Sequence, residues 1–297
     1  MVYLVDASVY VFRAYYSMPP EMQDHDGHPV HALFGFARFL GDLIERANPT
    51  YIIAAFDQSL TSSFRNRIFP AYKANRDPAP PDLLEQFGRC REFCRHVGVP
   101  EFGSSEFEAD DIIGSLHEKF RLEGIRSTVV TRDKDMAQLI REGDVYWSYT
   151  DNLRLRYHEM EEHFGVAPER FADYLALTGD SVDNIPGVPG VGPKTASALL
   201  KVYASLEEIY DNLPSVADLP IRGASKLAQK LLQHRDAAFL ARQLTEIARH
   251  MPFEVGRDAL KWRAPDMAAL NSFFDRQNFG PMLRRQAERL AQMPRPA

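Results

Sequence analysis

Nine acidic residues set the chemistry open to this 297-residue chain: Asp6, Asp57, Glu108, Asp110, Asp111, Asp133, Asp135, Asp180 and Asp183. Carboxylates gathered at one place repel each other, so such a group calls for cations. Hard carboxylate oxygens suit Mg²⁺ or Mn²⁺ better than zinc. Two such ions about 4 Å apart supply a hydroxide at neutral pH and neutralise the attacking and leaving oxygens of a phosphodiester. That chemistry needs no Ser or Cys nucleophile. The nine histidines include no His-x-x-x-His pair, which argues against a zinc hydrolase.

The elements around the acids explain why they should meet. Val2, Tyr3, Leu4 and Val5 lead into Asp6, residues 51–56 lead into Asp57, and residues 127–131 lead into Asp133 and Asp135. Each run has the length and β-branched or aromatic content of a buried strand, and each precedes a helical pattern. In a parallel α/β sheet the carboxyl ends of the strands share one edge, where ligands bind. Ile112, Ile113, Leu116 and Phe120 mark one face of a helix, which puts Glu108, Asp110 and Asp111 at or just before its first turn. Acids there serve as caps worth up to about 1 kcal/mol. One or two would suit that role alone, but three within four residues exceed it.

Two further stretches complement the acids. Residues 64–76 hold Arg65, Arg67, Lys73 and Arg76 with Phe64, Phe69 and Tyr72 and no acid. Cations hold phosphates and aromatic faces stack on bases, a combination that grips single-stranded nucleic acid; the plain alternative is a solvated basic loop. Residues 177–196 alternate glycines with small apolar residues and then place Pro193 at a helix start, the pattern of a tight hairpin whose N–H groups can face a phosphate. The stretch nearly imitates a P-loop, but its Lys194 follows Pro193 and no strand feeds it, so a Walker site is not expected.

Composition is that of a globular protein, 45% hydrophobic and 26% charged, with no apolar run long enough to span a membrane. The opening strand leaves no room for a signal peptide, so a cytoplasmic location is expected. Setting the nine acids aside turns the net charge of −6 into +3, a balance that permits nucleic acid without demanding it. Cys90 and Cys94 lie one helical turn apart and are expected to pack as small apolar groups. Residues 1–160 alternate strand and helix, whereas 161–260 read as helical, with Leu227, Leu231, Leu232, Phe239, Leu240, Leu244 and Ile247 as core stripes; the last five residues are expected to fray.

These motifs occur together in one family. Leu4-Val5-Asp6-Ala7-Ser8 with Arg13-Ala14-Tyr15, Phe56-Asp57, Phe64-Arg65, Tyr72-Lys73-Ala74-Asn75-Arg76, Glu108-Ala109-Asp110-Asp111, Asp133-Lys134-Asp135 and the run from Gly179 to Gly187 resemble, in order, the 5′ nuclease family. That family includes the N-terminal domain of bacterial DNA polymerase I, phage 5′ exonucleases and flap endonucleases. The resemblance implies an α/β fold: a PIN-like parallel sheet with a helical arch at about 64–90, then a helix-hairpin-helix-like (helix-three-turn-helix) DNA-binding domain over 161–260 and a C-terminal helical extension over 261–297. It implies 5′-3′ exonuclease or 5′-flap endonuclease activity on DNA, a role in replication and repair, and a monomer, either stand-alone or a fragment of a polymerase. Asp6, Asp57, Glu108 and Asp110 would surround the first of two Mg²⁺ or Mn²⁺ ions, and Asp133, Asp135, Asp180 and Asp183 the second, with Asp111 helping through water. Lys73 and Arg76 would hold the scissile phosphate. Arg65, Tyr72, Gly187, Gly190, Gly192 and Lys194 would contact DNA, Tyr72 by stacking on a terminal base, and the hairpin would bind a potassium ion.

Departures from the family pattern are few. Ala7 replaces a glycine, Asn66 and Arg67 replace a His and an acid, and the loop from Asp57 to Phe64 is one residue longer. Two rival readings stay open. A PIN-type ribonuclease shares the acids but leaves the hairpin and the basic stretch unexplained, and a catalytically silent DNA-binding module is expected to have lost carboxylates that are all present here.

Overall fold

The computed structural model describes residues 1–58, 62–221, 223–253 and 255–295. The extra residue expected between Asp57 and Phe64 cannot be placed, since 59–61 lie outside the described residues. In chain order the elements begin β1 (Val2–Asp6), α1 (Ala7–Ser17), α2 (His31–Ala47), β2 (Tyr51–Asp57), α3 (Phe64–Ile68), α4 (Pro81–His96), β3 (Glu101–Ser104), α5 (Ala109–Leu122) and β4 (Ser127–Val130). A 3-10 turn (Lys134–Leu139), β5 (Val145–Ser148), β6 (Leu153–Arg156) and α6 (Tyr157–Phe164) follow. The remainder is helical: α7 (Phe171–Thr178), α8 (Pro193–Val202), α9 (Leu206–Asp211), α10 (Leu213–Val216), α11 (Ala224–Gln233), α12 (Arg235–Thr245), α13 (Met267–Arg276) and α14 (Pro281–Gln292).

The strands form one sheet in the order β3-β2-β1-β4-β5-β6. All neighbours pair in parallel except β6, which runs antiparallel to β5 because only the short turn around Asn152 joins them. The near-continuous apolar strands bury both faces. Leu4, Ile53 and Val129 pack with α5 and the helical half, whereas Val5, Ile52, Ala54, Phe56 and Val130 pack with the helices on the other side. The order reverses direction between β1 and β4, so the crevice at the carboxyl ends of these strands is the topological switch point.

Several parts of the chain differ from expectation. Residues 64–90 do not stand apart as one arch: α3 has five residues, a turn-rich segment follows, and α4 lies on α1, α2 and α13, burying Leu83, Cys90, Phe93 and Cys94. Residues 261–295 form no separate extension, because Trp262, Phe273, Phe274, Leu283 and Leu290 complete the core that α2 and α4 begin. As far as residue 295 the chain end lies against the fold. The Arg295 guanidinium sits 3.9 Å from the centroid of the Trp262 ring, and residues 296 and 297 lie outside the described set. In the helical half Leu227, Leu231, Leu244 and Ile247 are buried, but Leu232 points to solvent.

Candidate active site

Three acids enter the crevice as helix caps. Asp6 ends β1 and caps α1, its Oδ1 accepting from Val9 N at 3.3 Å; Glu108 caps α5; Asp133 caps the 3-10 turn, accepting from Asp135 N at 2.9 Å. The capping role is therefore real, and it aims carboxylates at the crevice, where the positive helix ends favour them. Asp57 ends β2 and accepts from Ala109 N at 2.9 Å, which ties the first turn of α5 to the sheet edge. Asp180 and Asp183 arrive from the hairpin after α7.

Nine carboxylates in one region divide into two sets. Four carry a basic partner: Asp111 with Arg65 at 2.7 Å, Glu108 with Lys73 at 3.0 Å, Asp180 with Lys134 at 2.8 Å, and Asp183 with Arg76. Among the described residues Asp6, Asp57, Asp110, Asp133 and Asp135 have none. Burial is the main cause that pushes each of these five upward: Asp6 to about 7, with the Asp57 charge adding to the effect, and Asp110 and Asp135 well above the ordinary carboxylate range, with Asp133 the next cause for both. Asp180 shows the contrast. Burial alone would raise it, but the Lys134 hydrogen bond and charge outweigh burial and hold it below its usual value.

The segment carrying Lys73 folds down onto the acids. Lys73 Nζ donates to Glu108 Oε1 and lies 3.8 Å from Asp183, and its backbone N–H donates to Asp183 O at 3.0 Å with φ at +56°. Burial works against the ammonium charge, yet Glu108, Asp183 and Asp57 outweigh it and raise its pKa. Asn75 Nδ2 reaches Ser181 O at 2.9 Å and Asn184 Nδ2 reaches Ala71 O at 2.7 Å, so the two loops clasp each other over the crevice.

Over this geometry, residues 1–165 match the 5′-3′ exonuclease N-terminal resolvase-like domain, and residues 166–268 match the 5′-3′ exonuclease C-terminal SAM fold. The chain belongs to the 5′-3′ exonuclease family. A 5′-3′ exonuclease of Buchnera aphidicola subsp. Schizaphis graminum is 36% identical over 253 residues, which cover 85% of this chain and 88% of that protein. DNA polymerase I of Rhizobium leguminosarum is 34% identical over 293 residues, 96% of this chain but 28% of the polymerase, so the chain spans less than a third of that relative. Among solved structures, the phage T5 5′-exonuclease with bound zinc superposes with a TM-score of 0.68 at 20% identity, covering 98% of both chains. The catalytic core of Rad2 in complex with a DNA substrate gives 0.62 at 15% identity, covering 97% of this chain and 90% of that one. At such identities the likeness is one of fold.

Against the expectation of DNA contact, the side chains of Arg65 and Tyr72 are buried among protein groups. Arg65 is 2% exposed and donates to Asp111, Leu244 O and Glu246 O, while Tyr72 is 3% exposed with its hydroxyl 3.0 Å from Glu108 and 3.1 Å from Asp183. Burial of both rules out base stacking and phosphate contact by these side chains in this conformation. Asp111, expected to act through water, is fully buried on Arg65. Gly187 is pressed against the backbone of Thr178 and Gly179, where no Cβ fits, so it shapes the hairpin from inside. Gly190, Gly192 and Lys194 are exposed. Residues that sequence reasoning passed over include Thr131, whose hydroxyl donates to Asp6 Oδ2 at 2.8 Å and accepts from Asp133 N, and Ser8, whose Oγ accepts from Asp57 N at 2.8 Å. Their signal was adjacency: each hydroxyl lies within two residues of a site acid.

The donor set fits divalent cations. All nine side chains offer hard oxygens, and Asp135 Oδ1 is buried with no hydrogen-bond partner among the described residues. The site acids are more widely spaced than a closed cage. Among the described residues the trio whose donor atoms all fall within 4.8 Å of one another is Asp24, Asp26 and His28, away from the crevice. Asp24 is already bonded there to Arg89 and two backbone N–H groups. Wide spacing suits Mg²⁺, which keeps several waters and takes one or two carboxylates directly.

Proposed function

We propose that the chain hydrolyses DNA phosphodiesters near a 5′ end or at the base of a 5′ flap, using two divalent ions, Mg²⁺ or Mn²⁺. The carrying observation is five carboxylates with no basic partner among the described residues, Asp6 buried and Asp57, Asp110, Asp133 and Asp135 half-buried, all pushed upward chiefly by loss of solvent. Buried charge without a partner is costly unless the group is neutralised by protons or cations. Asp6, Asp57 and Asp110 would hold one ion and Asp133 and Asp135 the other, with Glu108, Asp180 and Asp183 completing the two groups. Bound ions would supply hydroxide at neutral pH and neutralise charge on both reacting oxygens.

The chain's own residues do the rest. Lys73 and Arg76, already gathered over the acids, would take the scissile phosphate and stabilise its developing charge. The exposed backbone at Gly190 and Gly192, with Lys194 at the start of α8, would meet the duplex backbone, a helix N-terminus being suited to phosphate. A potassium ion at the hairpin and action as a monomer on cytoplasmic DNA belong to the same proposal. A catalytically silent binding module would have little use for five desolvated acids without a basic partner among the described residues. Cleavage of a labelled 5′-flap duplex, compared with RNA and single-stranded DNA with and without Mg²⁺, tests it. Cleavage should be confined to the flap or 5′ end and stop in EDTA; undiminished cutting in EDTA would sink the two-ion reading.

A further inference from the structure

One short segment outside the crevice receives a buried polar side chain from each of three segments that carry the site's charges. It comprises residues 244–248, where α12 gives way to extended chain. Arg65, eight residues before Lys73, donates Nε to Leu244 O at 2.8 Å and an Nη2 hydrogen to Glu246 O at 2.9 Å. Gln138, in the 3-10 turn that follows Asp133, donates to Thr245 O and accepts from Ile247 N, both at 3.0 Å. Asp111, beside Asp110 on α5, accepts from Ala248 N at 2.9 Å. Successive backbone groups of one stretch of chain are thus bonded by side chains from α3, the 3-10 turn and α5.

Two of the three readers are also joined to each other. Arg65 forks onto both Asp111 oxygens at 2.7 and 2.8 Å, and Asp111 Oδ2 accepts from Glu108 N at 3.0 Å. A planar guanidinium held on two carboxylate oxygens and two carbonyls has one orientation open to it. All three side chains are buried, so neither solvent nor DNA competes for them.

We propose that Arg65, Gln138 and Asp111 are positioning residues that use residues 244–248 as a common ruler, so that DNA bound on the helical half brings the Lys73 loop, the α5 acids and the Asp133–Asp135 pair into one register. The proposal rests on the nuclease reading above. It gives Arg65 a role in rate without any contact to substrate. A one-ångström misplacement of charged groups costs far more in rate than in ground-state binding.

The test compares Gln138→Met, which keeps length and leaves no buried charge, with Arg65→Lys, which keeps charge but not the fork. Single-turnover cleavage of a 5′-flap duplex at saturating enzyme should slow on the order of tenfold or more in both, with the Mg²⁺ concentration for half-maximal rate rising several-fold and flap affinity in EDTA changing less than about threefold. Near-normal rates in both variants overturn the proposal, and so does a loss of affinity that matches the loss of rate. If Arg65→Lys does not fold, hydrogen exchange on the unaltered protein decides. Duplex DNA added in EDTA should raise protection together at the hydrogen-bonded amides of Glu108, Ile247 and Ala248, and unchanged protection overturns the proposal. Failure of the unaltered protein to cut any flap would instead defeat the nuclease reading, while the exchange experiment still judges the coupling.

Discussion

Lys73 Nζ lies 3.0 Å from Glu108 Oε1, which places a half-buried ammonium between the acids of α5 and the hairpin acid Asp183, 3.8 Å away on its other side. On the proposed reading, a cation already installed among the carboxylates would be preorganised for the charge of a transferring phosphate, whereas a solvated lysine would have to be ordered first.

Lys73→Ala and Arg76→Ala should therefore lower the single-turnover rate on a 5′-flap substrate by on the order of 10² or more, the size seen when preorganised electrostatic partners are deleted. Flap affinity should change far less. A normal rate at saturating enzyme, with only a salt-dependent loss of affinity, would make both residues ordinary backbone contacts.

The unpaired acids predict an unusual pH response. Asp6, Asp110, Asp133 and Asp135 have folded values raised by burial, so the folded protein binds their protons more tightly than the unfolded chain. The stability they contribute is complete below the unfolded Asp value of about 3.9 and is lost as pH climbs towards the raised values, about 7 for Asp6. In EDTA the melting temperature should fall from about pH 5 to about pH 8, and Mg²⁺ at the upper end should restore it. Acids held low by partners, such as Asp180 and Asp24, titrate below this window and do not offset the trend. A flat or rising profile in EDTA would contradict the assignment.

Asp6→Asn separates catalysis from stability. It should abolish turnover, yet at pH 8 in EDTA it should raise stability by on the order of 2 kcal/mol, since one raised carboxylate is removed. Flap binding should persist through the hairpin and α8. A variant that is both inactive and markedly less stable in EDTA would show that Asp6 serves the fold.

Cys90 and Cys94 are fully buried on α4, and burial pushes both thiols well above their ordinary value. A thiol reagent such as iodoacetamide should therefore label neither in the native protein and both after denaturation. Rapid labelling of the folded protein would place α4 away from α2.

Phe273 on α13 has no exposed surface, and its ring centroid lies 6.3 Å from that of Phe93 on α4. Phe273→Ala should cost about 3–5 kcal/mol in denaturant unfolding. A change within about 0.5 kcal/mol, typical of surface sites, would mean that α13 does not share the catalytic core.

What the sequence disclosed and what it hid differ in kind. Asp6 and Asp57 were legible because a buried strand reads as an apolar run and its last residue must face the sheet edge. Glu108 was legible because capping chemistry is local. The burial of Arg65 and Tyr72 was not legible, because a basic, aromatic stretch looks the same whether it faces solvent or folds over acids, and only the distant Leu244, Glu246 and Asp183 decide which. Leu232 fitted a helical stripe, but α11 presents that side to water. The return of α13 and α14 to α2 was invisible for the same reason: amphipathic periodicity fixes which face is buried, not what covers it.

That return makes the helical half a closed span rather than a pendant arm. The chain leaves the sheet after β6, builds α7 to α12, and is stitched back where Trp262 N–H meets Thr50 O at 3.0 Å and the indole Nε1 meets Val97 O at 3.0 Å. A body anchored at one end can swing about a single hinge, but one anchored at both ends is confined to rocking about the line between its anchors. On the nuclease reading, DNA held by the helical half would reach the crevice only along that arc.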